Sequence, residues 1–367
     1  MKIPGNVMLD LKSLLSGSRQ VVGLDIGSSS LKLAEVVDDP RGGYLLNRFS
    51  QLSLPRGIIV DGILHETSLL TEKVKELFKT SGNRRKGIVT SLSGHSVIIK
   101  KVDFPTMEEE EMRDMIRDDA AQYLPFDNMD EVNFDFQILG ENEYNPNLME
   151  VLLVAARKDI INSYTDALKA AGLTVVIMDV DSFALETVYE ENYDFEEEDI
   201  VALINIGASI TNINVVKADA SIFTRDFTLG GNTVTESLVD RLGVSFDEAE
   251  RVKIEGPGGD EFEANAFRMS LIEHAEPICA EIDRSIEFFR STFGGDYIRK
   301  VLLSGGGAKL PGIVEELRQR LGVDTEILNP FQKIAINDKT VDVSLVEQMG
   351  PALAVSLGLA LRRVGDK

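Results

Sequence analysis

The chain has 367 residues, enough for two domains with large cores, and is 43% hydrophobic and 27% charged. Its 38 Lys and Arg face 61 Asp and Glu, a formal net charge of −23, so its field repels phosphodiester backbones and anionic lipids and argues against a nucleic-acid partner. One cysteine, Cys279, excludes an intramolecular disulfide, and His65, His95 and His274 lie too far apart in sequence to gather a metal by helical spacing.

The first twenty residues have no sustained apolar stretch before Asp10, which predicts a chain without a secretory signal that stays in the cytoplasm. From Val21, a short β-type run reaches Asp25-Ile26-Gly27, turns through Ser28-Ser29-Ser30 and returns as the alternating Leu31-Lys32-Leu33-Ala34-Glu35-Val36, a hairpin with a small-residue turn. Residues 88–92 and 96–102 read as two paired strands around Ser93-Gly94-His95. Thr106-Met107-Glu108-Glu109 has the form of a capping box opening a helix over 107–123, which stops before Pro125. Two further strands follow, near 132–139 and 149–156, and the region from about 88 to 175 is expected to be an inserted subdomain.

The acidic stretch 190–199 reads as a solvated connector or as a loop before a strand, and the domain boundary is placed at about 185. The opening hairpin then repeats at one constant offset: Asn205-Ile206-Gly207-Ala208-Ser209 stands where Asp25-Ile26-Gly27-Ser28-Ser29 stood, which predicts a chain built from two related halves. Leu229-Gly230-Gly231-Asn232 opens a helix, residues 246–253 supply another, and Ile278, Ile282, Ile286 and Phe289 share one face of a longer one. A strand at 301–303 leads into Ser304-Gly305-Gly306-Gly307, with a further helix starting near Ile313. The run Met349–Leu361 carries Gly350, Pro351 and Gly358 and falls short of the ~20 residues that cross a bilayer, so it reads as a buried helix.

Small-residue turns let backbone amides approach a phosphate, and four of them occur here in order, two as a repeat. With the Asp-x-Gly-x-x-x-x-Lys hairpin and the Glu250-x-x-Lys253 helix, this order resembles the actin, heat-shock chaperone and sugar-kinase superfamily across nearly the whole chain. The resemblance implies an α/β actin-like fold: two related ribonuclease-H-like domains, 1–185 with its inserted subdomain and 186–343, flank an ATP cleft, and a hinge helix at 344–367 returns towards the first. Within that superfamily, residues 22–32, Ala121-Gln122-Tyr123-Leu124-Pro125-Phe126 and Asn329-Pro330-Phe331 resemble the PilM family of type IV pilus assembly proteins, relatives of the division protein FtsA.

That resemblance implies bound ATP or ADP with Mg²⁺. Gly27, Ser28, Ser29, Ser30 and Lys32 form the first phosphate loop, and Asp25 holds the metal through water; otherwise Lys32 is a solvent-facing strand residue. The second loop is Asn205, Gly207, Ala208 and Ser209, followed by the Gly230-Gly231-Asn232 turn. Glu250 and Lys253 meet the ribose and adenine edge, or are a solvated helical pair, and Gly305, Gly306 and Gly307 admit the purine. Where brisk ATPases of the superfamily carry an acid at the second loop, this chain has Asn205, and an amide cannot act as a base. Asp179 or Asp181, on the expected connecting helix, could orient water instead, Asp181 being equally an N-cap; slow or negligible turnover is expected.

The implied partner is the N-terminal cytoplasmic peptide of the inner-membrane protein PilN, with other inner-membrane pilus proteins in reach and no direct membrane insertion. The groove would lie on the inserted subdomain at Tyr123, Leu124, Phe126 and Phe134, residues that individually read equally as core. An adaptor is therefore expected, cytoplasmic and peripheral to the inner membrane through its partner. An FtsA-like filament-forming ATPase is the alternative, although residues 361–367 after the hinge helix leave no room for an amphipathic anchor, and a small-molecule kinase is a third.

Overall fold

The computed structural model describes residues 21–363 apart from 127, 143–144, 219, 257–260 and 294–296. The expectations about the N-terminal segment and the last four residues lie outside the described residues. Two main sheets share one topology. In the first, the meander β1 (Val22–Ile26), β2 (Ser30–Asp38) and β3 (Tyr44–Ser53) is antiparallel, and β6 (Gly87–Leu92) and β10 (Thr174–Val180) add in parallel beside β1. In the second, β11 (Ile200–Ile206), β12 (Thr211–Lys217) and β13 (Ala220–Phe227) repeat the meander, and β14 (Lys300–Ser304) and β15 (Asp324–Ile327) repeat the parallel pair beside β11. The repeat read from the hairpins thus extends over whole sheets, an actin-like arrangement of two ribonuclease-H-like units.

Each sheet has its own helical cover. In the first half α1 (Thr67–Ser81) and α3 (Lys158–Ala170) bury Leu70, Val74, Leu77, Ala167 and Leu168 against Leu24, Leu33 and Ile88. The second half has α5 (Gly231–Leu242), α6 (Phe246–Glu255), α7 (Glu261–Thr292) and α8 (Ile313–Leu321). Ile278, Ile282, Ile286 and Phe289 of α7 lie fully in that core, as their spacing predicts, with Cys279 among them. Burial pushes the Cys279 thiol up to about 12, which makes it a packing residue.

Between the two sheets lie α4 (Asp181–Asn192) and α9 (Val343–Leu361), sharing a core with Ala34 and Val36 of β2 and Val201 and Leu203 of β11. Helix α9 is long and apolar enough to span a bilayer, but Ala352–Leu361 is buried inside the protein, as the sequence predicts for this run. The helices approach so closely that a Cβ on Gly358 would stand 1.8 Å from the Ala184 carbonyl oxygen, and one on Gly23 of β1 would stand 2.1 Å from that of Ser356. Only glycine fits either position.

The inserted unit is narrower than 88–175. Its sheet, β7 (Val97–Pro105), β9 (Asn145–Arg157) and β8 (Val132–Asn142), covers 97–157, whereas β6, α3 and β10 belong to the first main sheet and its cover. Strands β6 and β7 do not pair, contrary to the hairpin reading, because a one-turn helix at Gly94–Ser96 redirects the chain into another sheet. Helix α2 starts at Glu109 (Glu109–Tyr123), so no capping box forms at Thr106, whose N–H instead donates to the Asn147 carbonyl. At the far end, β16 (Ala335–Ile336) adds to the edge of β3, so the chain rejoins the first sheet before residue 344. A two-stranded ribbon, β4 (Ile59–Val60) with β5 (Ile63–Leu64), completes the first half.

The helix contact gives a direct test. Gly358→Ala forces a methyl into the Ala184 carbonyl and should cost about 2–4 kcal/mol, read as a lower urea midpoint at unchanged m-value. An unchanged midpoint would mean that the helices are not held this closely.

Candidate nucleotide cleft

The two duplicated turns face each other across a cavity of about 880 Å³, within the ~300–1,000 Å³ range of small-molecule sites. Both close with the same bond: the Gly27 N–H donates to the Ser30 carbonyl at 3.1 Å, and the Gly207 N–H donates to that of Ile210 at 2.9 Å. A Cβ at Gly207 would lie 2.7 Å from the Ile210 oxygen, so glycine is required there. The N-terminus of α5 docks on the second turn through Gly231 N–H to Gly207 O (2.9 Å) and Asn232 N–H to Ala208 O (2.7 Å). The Asn232 amide also donates to Ser209 Oγ at 3.0 Å.

The floor is the third glycine turn. Gly305 has φ +84°, and a Cβ there would stand 2.3 Å from the Ile206 carbonyl oxygen and 2.6 Å from Asn205 Oδ1, while Gly306 faces open space. The Gly305 N–H donates to the Pro351 carbonyl of α9 at 2.8 Å, tying the floor to the central helices.

The charged residues fall into equivalent places in the two halves. In the first hairpin Lys32 Nζ donates to Asp25 Oδ2 at 2.8 Å, a pair nearly out of solvent. The same register in the second hairpin holds Asn205 and Asn212, whose amides bond at 3.0 Å. An ion pair on one wall is thus an amide pair on the other. Lys253 Nζ contacts Glu250 (2.7 Å), Thr235 Oγ1 (2.8 Å) and the Gly231 carbonyl (3.0 Å), so Glu250 and Lys253 are a pair, but one that joins α6 to α5 at the cavity wall. The lining carries four acids, Asp25, Asp181, Asp247 and Glu250, and four bases, Lys32, Arg56, Lys253 and Lys309. In a chain of net charge −23 this balance makes the cleft the favourable place for an anion.

The two candidate carboxylates separate. Asp179 is in β10 and not in the connecting helix; its carboxylate pairs with Arg362 at 2.6 Å and is absent from the cavity lining. Asp181 is the first residue of α4, after the N-cap Val180, so it is not the cap, and it lines the cavity. Burial, with Asp25 and Asp226 facing it, pushes Asp181 up to about 7, while the Ser91 and Ser93 hydroxyls hold it down. Asp226, on β13, was not found from sequence because only the register opposite Asn212 brings it here. Its carboxyl is also raised by burial. Arg56, in the loop before β4, was missed as well; it pairs with Glu236 of α5 at 2.5 Å and stacks 3.7 Å over the Phe246 ring, crossing the cavity mouth.

Among the described residues no group of three or more His, Cys, Asp or Glu is gathered to hold a metal by itself. Carboxylates that repel one another at the cleft, with room for water, suit a hard cation arriving with phosphate oxygens and keeping its own waters. The expected peptide residues are elsewhere, in the core of the small sheet: Leu124 is 2% exposed, Tyr123 packs on the Phe104 ring at 4.9 Å, and Phe126 and Phe134 are half-buried.

Paired ribonuclease-H-like sheets around a glycine-lined cleft place the protein in the actin-like ATPase fold class. A family model described as type IV pilus assembly protein PilM matches residues 23–364, and the chain belongs to that family. A solved PilM–PilN type IV pilus biogenesis complex is similar at 30% identity and a TM-score of 0.82, covering 95% of this chain and 99% of that one. The ethanolamine utilization protein EutJ of Carboxydothermus hydrogenoformans shares the fold at 16% identity and a TM-score of 0.54, over 93% of this chain and 89% of its own. The cell division protein FtsA of Enterococcus hirae is 25% identical over 379 aligned positions, 89% of this chain and 84% of that protein.

Asp181 gives a pH-dependent test. A carboxyl raised from 3.8 to about 7 binds its proton longer in the folded state, so it costs stability progressively as pH rises from about 4 to 7. Asp181→Asn should match the wild-type Tm at pH 4 and exceed it by a few degrees at pH 8 in nucleotide-free protein. A constant difference across that range would contradict the assignment.

Proposed function

We propose that the protein is an ATP- or ADP-binding adaptor of type IV pilus assembly that presents a surface to the cytoplasmic N-terminal peptide of PilN. The observation that carries the nucleotide reading is the pair of glycine turns facing across a charge-balanced cavity in an otherwise strongly acidic protein. Gly27–Ser30 and Gly207–Ser209 would hold the β- and γ-phosphates, Lys32 would supply the positive charge beside them, and Asp25 would be the carboxylate for the accompanying Mg²⁺. The ribose and purine lie towards Glu250, Lys253 and the Gly305–Gly307 floor.

Turnover is slow or negligible. With Asn205 at the second hairpin and Asp179 tied to Arg362, Asp181 is the one candidate carboxylate of the two that can orient a water, and its proton is lost only near neutral pH. The partner reading is supported by the 30% identity to the PilM chain solved with PilN. The protein is cytoplasmic and peripheral to the inner membrane through that partner.

Two titrations test the reading. Lys32→Ala should weaken Mg·ATP binding by about tenfold or more while leaving peptide affinity in place, since it removes a charge-assisted phosphate contact. Phe126→Ala with Phe134→Ala should weaken the PilN peptide by about tenfold or more with nucleotide affinity retained. Unchanged peptide binding would remove the groove from the small sheet.

A further inference from the structure

The turn at Ser93-Gly94 is where the two halves and the small sheet meet. It follows β6, which carries Ser91 beside the cleft, and it leads into β7, which enters the small sheet. Gly94, at φ +64°, donates its N–H to Asp226 Oδ2 of the second sheet at 2.7 Å. A Cβ at Gly94 would lie 2.8 Å from Ile210 Cδ1, in the turn between β11 and β12. On the other side, the Gly62 carbonyl accepts from Ser96 Oγ (2.8 Å) and from the Tyr164 hydroxyl (3.1 Å), fixing the turn to the first half.

Two cleft-lining side chains converge on this turn by separate routes. Asp181 accepts hydrogen bonds from the Ser91 and Ser93 hydroxyls. Asn212 lines the cavity, is 2% exposed and stands directly opposite Asp226 in the β12–β13 register. Asp226 itself is not part of the lining. Charge placed in the cleft therefore acts on Asp226 through a single intervening side chain, in surroundings that screen it poorly.

We propose that the Asp226–Gly94 hydrogen bond is a latch that sets the small sheet against the second half, and that occupancy of the cleft changes its strength. The bond is charge-assisted, so its strength follows the field at the carboxylate. Strand β7 runs nine residues from the turn and pairs with β9 along its whole length, so a displacement of Gly94 is carried into the sheet as a unit. Asp226 is a positioning residue that touches no ligand. The trigger rests on the nucleotide reading above; the latch itself does not.

Hydrogen exchange of the amides from 94 to 102 in the full chain tests both parts, with nucleotide occupancy checked by calorimetry. Without nucleotide, Asp226→Ala should speed exchange there by about five- to tenfold, the loss of one hydrogen bond, and Asp226→Asn, which keeps an oxygen acceptor, by less. Exchange equal to wild type in Asp226→Ala would overturn the latch; if that variant does not fold, wild-type exchange in Asp226→Asn would overturn its dependence on charge. Mg·ADP should alter the rates in wild type and leave Asp226→Ala unmoved. An equal response in both, or none in wild type with nucleotide bound, would overturn the switch. Failure of wild type to bind nucleotide would instead sink the nucleotide reading, and the latch would be judged on the nucleotide-free comparison.

Discussion

The near-contact of α4 and α9 is the constraint on which the rest of the molecule depends. Both helices lie between the two main sheets, and both sheets bury apolar side chains on them, so the helices are at once a shared core and the joint between the halves. The joint is tight because its contact positions carry no side chain: Gly358 lies on the Ala184 backbone and Gly23 on that of Ser356. Packing at interior density resists continuous deformation, so this joint holds the two halves as packed bodies. The cleft opens beside it, with Asp181 at the start of one helix and Pro351 of the other holding the Gly305 floor.

Electrostatics gives the cleft its character. A chain of net charge −23 repels anions almost everywhere, yet its cavity is lined by equal numbers of acids and bases. Two of those bases, Lys32 and Lys253, are neutralised in place by Asp25 and Glu250. These pairs hold both lysines inside the site as compensated charges, which limits the cost of keeping them out of solvent. The duplicated hairpin is not a duplicated site, since the ion pair of one wall is an amide pair on the other.

What the sequence made legible was local and periodic. The repeated hairpins needed only a constant offset, the α7 core face only its helical spacing, and α9 only an uncharged run broken by glycines. The misreadings came where tertiary contacts decide. Strands β6 and β7 look like a hairpin because so few residues separate them, but the left-handed Gly94 sends them to different sheets. Asp179 and Asp181 were interchangeable until the strand-to-helix junction was known to within one residue. Asp226 and Arg56 gave no local signal, because each gains its meaning from a residue far away in sequence: Gly94 for one, Glu236 and Phe246 for the other.

The central claim is that the cleft holds a nucleotide and scarcely consumes it. The most direct measurement incubates nucleotide-stripped protein overnight with one equivalent of Mg·ATP, removes free ligand by gel filtration and identifies what remains bound. The account predicts nucleotide retained in near-stoichiometric amount, mostly as ATP, with little phosphate in solution. Steady release of phosphate would make Asn205 compatible with brisk hydrolysis and return the protein to the enzymes, while a protein fraction free of nucleotide would contradict the cleft itself.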